Sequence, residues 1–247
     1  MKSPYSIGAQ LALLIASILA GLLTSSILSG IAISLLGIPI ESISMNDPKI
    51  YLISGFFSQL IGFIGGFIIF LKITQQSFIP LIQIRKPEFK MAVIVIGILI
   101  ISIPVISVLG YYNSFLKDLI PNNTFILQEA ELKIYQSNLF ATKGSLMMFS
   151  KFFIVALLPA IGEELVFRGV LLAKIKEASQ NEHYGVAVSG VIFAAIHQQP
   201  TSLLPMIFLG IVLGYIYTRT KNILYPMLFH FLFNSTMIVL GYYEVEA

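Results

Sequence analysis

Long apolar runs separated by short polar loops dominate the chain. They cover roughly residues 7–36, 50–71, 91–111, 146–167, 185–196, 203–217 and 223–242. A transmembrane helix needs about 20 mostly apolar residues, and most of these runs reach that length. The pattern predicts an all-α fold, a polytopic transmembrane helix bundle of about seven spans. The fifth and sixth runs are short and the first could break near Gly21, so six or eight spans also fit. The first run follows Met1-Lys2-Ser3-Pro4, contains no charge and is too long for a signal-peptide core. It is therefore expected to be a retained span.

Between the third and fourth runs lies the one sizeable polar stretch, Tyr112 to Gly144. Pro121-Asn122-Asn123-Thr124 marks a turn. Phe125, Ile126, Leu127, Leu132, Ile134 and Tyr135, interleaved with charges, suggest a short helix lying in the membrane interface. This stretch divides the chain into N-terminal spans with an interfacial segment, 1–143, and a C-terminal core, 144–247. No tandem repeat is visible. Gly62 with Gly66, and Gly210 with Gly214, form GxxxG pairs that predict close helix packing.

Composition agrees with lipid as the main solvent. Of the 247 residues 57% are hydrophobic and only 11% charged, against about 25% charged in soluble domains. That excludes an ordinary soluble enzyme and a disordered protein. Net charge is +3, but the positive residues sit in loops, which argues for membrane orientation and against nucleic acid as a partner. Lys2, Lys72, Arg85, Lys86, Lys90, Arg168, Lys174, Lys176, Arg219 and Lys221 occupy alternate loops. They predict a cytoplasmic N-terminus and an external C-terminus. The expected location is a multi-pass protein of a bacterial plasma (inner) membrane. There is no Cys, so a disulfide, an Fe–S cluster and a thiolate zinc site are all excluded.

Candidate chemistry lies where ionisable groups interrupt apolar runs. The fourth run holds Glu163 and Glu164, each costing roughly 2.5–3.5 kcal/mol at a helix centre on insertion scales. Glu164 and Arg168 are four residues apart and share a helix face, whereas Glu163 points about 100° away. His197 ends the fifth run. His230 and Asn234, again four apart, lie in the seventh. A rise of about 1.5 Å per residue places Glu163, His197 and His230 roughly 16, 20 and 12 Å from a boundary near Lys174, Tyr184 and Asn222. Pro159 and Pro200 can open the backbone beside a polar cavity. Singly, such groups can be interhelical glue. Jointly, at matched depth, they point to a site. His183, among polar neighbours, is read as solvated.

Glu163-Glu164-x-x-x-Arg168, Phe193-x-x-x-His197 and His230-x-x-x-Asn234 together resemble the signature of the CPBP family of intramembrane proteases, also called the Abi or CAAX prenyl protease family. The resemblance covers about 144–241. It implies a peptidase that cuts a membrane-associated protein or peptide within or beside the bilayer. Glu163 and His197 would activate a water, His230 and Asn234 would form the oxyanion site, and Glu164 with Arg168 would support Glu163. No cofactor is required by this division of labour. Zinc remains open, with Glu163, His197 and His230 as its ligands if present. No His-Glu-x-x-His helix exists, and the reading leans to metal-free catalysis. Two other functions use the same residues: a transporter with a buried Glu/His proton relay, and a non-catalytic immunity or scaffold protein. The absence of an inverted repeat counts against the transporter.

Overall fold

A computed structural model of the chain describes residues 3–38, 47–115 and 137–246, together with 127, 130 and 134. All regular structure among them is helical. The helices are α1 (Ile7–Leu35), α2 (Pro48–Thr74), α3 (Phe78–Ile82), α4 (Phe89–Ser114), α5 (Ser145–Ser179), α6 (Glu182–Ile196), α7 (Leu203–Thr220) and α8 (Leu224–Glu246). Six are long and apolar enough to cross a membrane: α1, α2, α4, α5, α7 and α8. The fifth apolar run becomes α6, only 15 residues long. At about 1.5 Å per residue it covers roughly 22 Å, short of a typical hydrocarbon core of about 30 Å. The expected seven spans are thus six long helices and one short one. Gly21 does not break α1. The interfacial helix expected near Phe125–Tyr135 lies largely outside the described residues.

Local signals explain the helix ends. The Ser6 hydroxyl accepts from Ala9 N–H, the Asp47 carboxylate from Lys49 N–H ahead of Pro48, and the Asn181 side chain from Tyr184 N–H. Each satisfies an orphan first-turn donor. Gln75, Gln180 and Lys221 adopt left-handed backbone (φ 55°, 54° and 49°) and stop α2, α5 and α7. Three stretches are π-helical: Ser58–Gly65 in α2, and Phe152–Leu157 and Leu165–Leu172 in α5. Such widened turns are rare and often mark functional sites.

The chain forms two compact units. The first comprises 1–78, 133–166 and 230–247. Here α1 buries a stripe of mostly small or polar residues, Gln10, Leu14, Ser17, Gly21, Ser25, Ser29 and Ile33. Ile15, Leu19, Leu23 and Ile27 stay exposed. That is inside-out relative to a soluble helix and suits lipid, where close backbone packing replaces the hydrophobic drive. A Cβ on Gly21 would sit 2.7 Å from the Ile61 carbonyl, and one on Gly66 2.9 Å from the Ser17 carbonyl. Lys151 lies inside α5, fully buried, and donates to the Thr142 carbonyl.

The second unit comprises 79–132 and 167–229. Its α6 and α7 cross at glycines: a Cβ on Gly210 would lie 2.7 Å from Gly190 Cα. The expected GxxxG packing at 210 and 214 is therefore present, with Val186 against Gly214. Asn113 of α4 clamps the start of α7, donating to the Pro200 carbonyl and accepting from Leu204 N–H.

Candidate active site

In the first unit Glu163, Glu164 and His230 converge, with exposures of 6%, 0% and 6%. His230 Nδ1 lies 2.8 Å from Glu164 Oε1. A carboxylate accepts only, so this contact places the ring proton on Nδ1 when Glu164 is ionised. His230 Nε2 points to Glu163, 4.0 Å from its Oε2. Protonation of Nε2 would create an imidazolium held between two carboxylates. A carboxylate on Nδ1 fixes the tautomer and orientation of the ring.

Asn234 follows from the sequence of the facing helix. Pro159 has no N–H to give the carbonyl four residues earlier, which is Val155. The carbonyl lies in the π-helical stretch Phe152–Leu157. Asn234 Nδ2 donates to it at 3.1 Å. One of the two amide N–H groups of Asn234 is thereby committed to the backbone, and the other remains as a donor.

Glu163 has a further partner from outside the signature. Gln59 Nε2 donates to Glu163 Oε1 at 2.9 Å. Gln59 is the second residue of the π-helical stretch in α2. Gly162 makes the approach feasible, since a Cβ there would meet Phe63 Cβ at 3.0 Å and Gln59 Oε1 at 3.1 Å. Sequence reasoning passed over Gln59. The signal was present, because a polar amide inside an apolar span is costly, but attention went to groups that titrate.

Arg168 and His197 belong to the second unit. Arg168 is fully buried and donates from Nη2 to the Gly210 carbonyl at 3.1 Å. Its guanidinium carbon lies 4.8 Å from the Phe193 ring centre, within cation–π range. Phe193 in turn stacks edge-on against Phe167. His197 caps α6, with Nδ1 2.6 Å from the Phe193 carbonyl, which fixes the proton on Nδ1 and makes Nε2 the basic nitrogen. The Phe of the Phe-x-x-x-His motif therefore serves its own histidine twice, through its carbonyl and through a ring 4.7 Å away.

A catalytic zinc needs about three protein ligands and an open position. Among the described residues no three His, Asp or Glu side chains gather at metal-binding separations. Glu163 with His230 supplies two donors, and Glu164 is spent on His230 Nδ1. No step is routed through an ion.

These features define a class first: a multi-pass membrane protein with a buried site of two carboxylates and an oriented histidine. Part of the chain is then similar to a known family. Residues 145–236 match the family model described as "Type II CAAX prenyl endopeptidase Rce1-like". The resemblance carried by the three motifs is thus shown for that segment. The chain is also similar to "Putative membrane peptidase YdiL" of Bacillus subtilis (strain 168), at 28% identity over 78 residues. That match spans 32% of this chain and 32% of the relative's length. No solved structure matches the chain.

Proposed function

We propose that this protein is an intramembrane endopeptidase that hydrolyses a peptide bond of a membrane-embedded protein or peptide with a water activated by Glu163. The observation that carries the reading is the pair of contacts on one ring: Glu164 on His230 Nδ1 and Glu163 facing His230 Nε2. Glu163 takes a proton from the water as its oxygen bonds the scissile carbonyl carbon. Negative charge then develops on the carbonyl oxygen. His230, charged and held by Glu164, and the second N–H of Asn234 are its donors. Preorganised donors of this kind are worth about 3–4 kcal/mol each in a dry site. When the C–N bond breaks, the proton held on Glu163 passes to the departing amine. His197 is assigned to proton relay on its motif and on its basic Nε2. Gln59 adds a hydrogen bond that fixes one oxygen of Glu163.

The test is hydrolysis of quenched-fluorescence transmembrane peptides by the purified protein in liposomes, run in H2(18)O. The reading expects one labelled oxygen in the new carboxylate and loss of turnover in Glu163→Gln. Full turnover by Glu163→Gln overturns it. A strong chelator should leave the rate unchanged. Stoichiometric zinc with chelator-sensitive, zinc-restorable activity would replace the metal-free mechanism.

A further inference from the structure

Gln59 lies far from the signature in sequence and outside the segment that matches the family model, yet it donates to Glu163. We infer that Gln59 is a positioning residue for Glu163: its Nε2–H holds Oε1, so that Oε2, the oxygen facing His230, is the one presented for proton abstraction. The inference rests on the proposed peptidase reading of the same site.

Three observations carry it. The first is chemical polarity. Gln59 faces a carboxylate with its N–H end, the only orientation in which the two groups attract, so the assignment of the amide follows from its partner. The second is the other end of the same amide. Gln59 Oε1 is buried and has no hydrogen-bond partner among the described residues. An unmet buried acceptor costs about 1–3 kcal/mol. An amide serving only to staple two helices would be satisfied at both ends. One with a bare carbonyl beside an intramembrane glutamate has the marks of a functional group. The third is the backbone. The π-helical stretch Ser58–Gly65 widens α2 where Gln59, Phe63 and Ile64 meet Gly162. A widened turn is a local departure from the favoured helix, and here it aims a polar side chain at Glu163, the residue after Gly162 on α5.

Two hydrogen-bonded oxygens are not equivalent. An N–H donor on Oε1 lowers the freedom of the carboxylate to rotate. Replacing Gln59 by Met keeps an unbranched chain of similar size and removes both polar ends. Replacing it by Asn keeps the amide and shortens the reach by one methylene.

The test reads Glu163 itself before any activity. A hydrophobic carbodiimide reacts with a membrane carboxyl that is free to turn toward it and leaves a stable adduct that peptide mass spectrometry assigns to residue 163 or 164. At neutral pH the labelling rate at Glu163 should rise at least about threefold in Gln59→Met and in Gln59→Asn, with thermal stability of the purified protein little changed. In the liposome assay kcat should fall about 10–100-fold while KM stays within about twofold. Unchanged labelling at Glu163 in a folded variant overturns the inference. If one variant does not fold, the other decides by the same criterion. A rise in labelling without any peptidase activity in the wild type would keep Gln59 as the partner that positions Glu163 and would sink the peptidase reading instead.

Discussion

Replacing Glu164 by Gln tests how the site holds its histidine. In the wild type Glu164 Oε1 lies 2.8 Å from His230 Nδ1, and both side chains are buried. The amide can still accept from Nδ1–H, so the neutral ring keeps a hydrogen bond. Fold stability should fall by only about 1 kcal/mol, the difference between charge-assisted and neutral hydrogen bonds. The imidazolium loses far more. Opposite charges about 4 Å apart attract by about 4 kcal/mol at an effective dielectric of about 20. At about 1.4 kcal/mol per decade, loss of that attraction is worth close to a factor of 10³. If His230 acts as a charged donor, kcat/KM of Glu164→Gln should fall about 10²–10³-fold in the liposome assay. A variant within about threefold of wild type refutes the charged-donor role of His230. A large loss of thermal stability with the same kinetic loss would recast Glu164 as structural.

Other consequences follow from the same geometry. Asn234→Ala should lower kcat about 10²-fold with little change in KM, since one donor of the oxyanion site is lost. Gly210→Ala forces a Cβ to within 2.7 Å of Gly190 Cα, and overpacking of this kind should cost about 1–3 kcal/mol in detergent-solubilised unfolding. Glu182, at the head of α6 and outside the long spans, accepts from Lys176 at 2.5 Å. That hydrogen bond, aided by the charges of Lys176, Arg219 and His183, holds its carboxyl below the ordinary range. A depressed folded-state pKa stabilises above the unfolded value, about 4.3 for Glu, and the contribution fades as pH falls through the folded value. Glu182→Gln should therefore remove a small acid-side component from the pH–stability curve. The chain has no Cys, so single cysteines are clean reporters. Cysteines at Gln180 and Lys221 should react with an impermeant thiol reagent only from the cytoplasmic side, and labelling from outside would reverse the expected orientation.

Much of this was legible in the sequence because lipid makes the rules strict. Apolar runs became helices, and the carboxylates and histidines that interrupt them became the buried cluster of Glu163, Glu164 and His230. The Gly62/Gly66 and Gly210/Gly214 pairs became close crossings. Other features were hidden for identifiable reasons. The fifth run looked like a span, but Pro200 and the left-handed Gln198 end its helix early. The π-helical turns of α5 from Leu165, just after Glu164, leave no mark in the apolar periodicity. Arg168 donates to the Gly210 carbonyl and faces the Phe193 ring, partners that no local spacing rule points to. Gln59 escaped because its partner lies 104 residues away and no local spacing rule links α2 to α5. Asn234 is expected as an oxyanion donor, and the Val155 carbonyl it bonds lies 79 residues away in sequence, beyond any local spacing rule.

The most direct measurement is a quantitative comparison of membrane peptides from cells carrying the wild-type protein and cells carrying Glu163→Gln at equal expression. The account predicts at least one membrane peptide or protein cut with the wild type and left intact with the variant. Identical cleavage patterns, with the biological activity of the protein fully retained by Glu163→Gln, would contradict it.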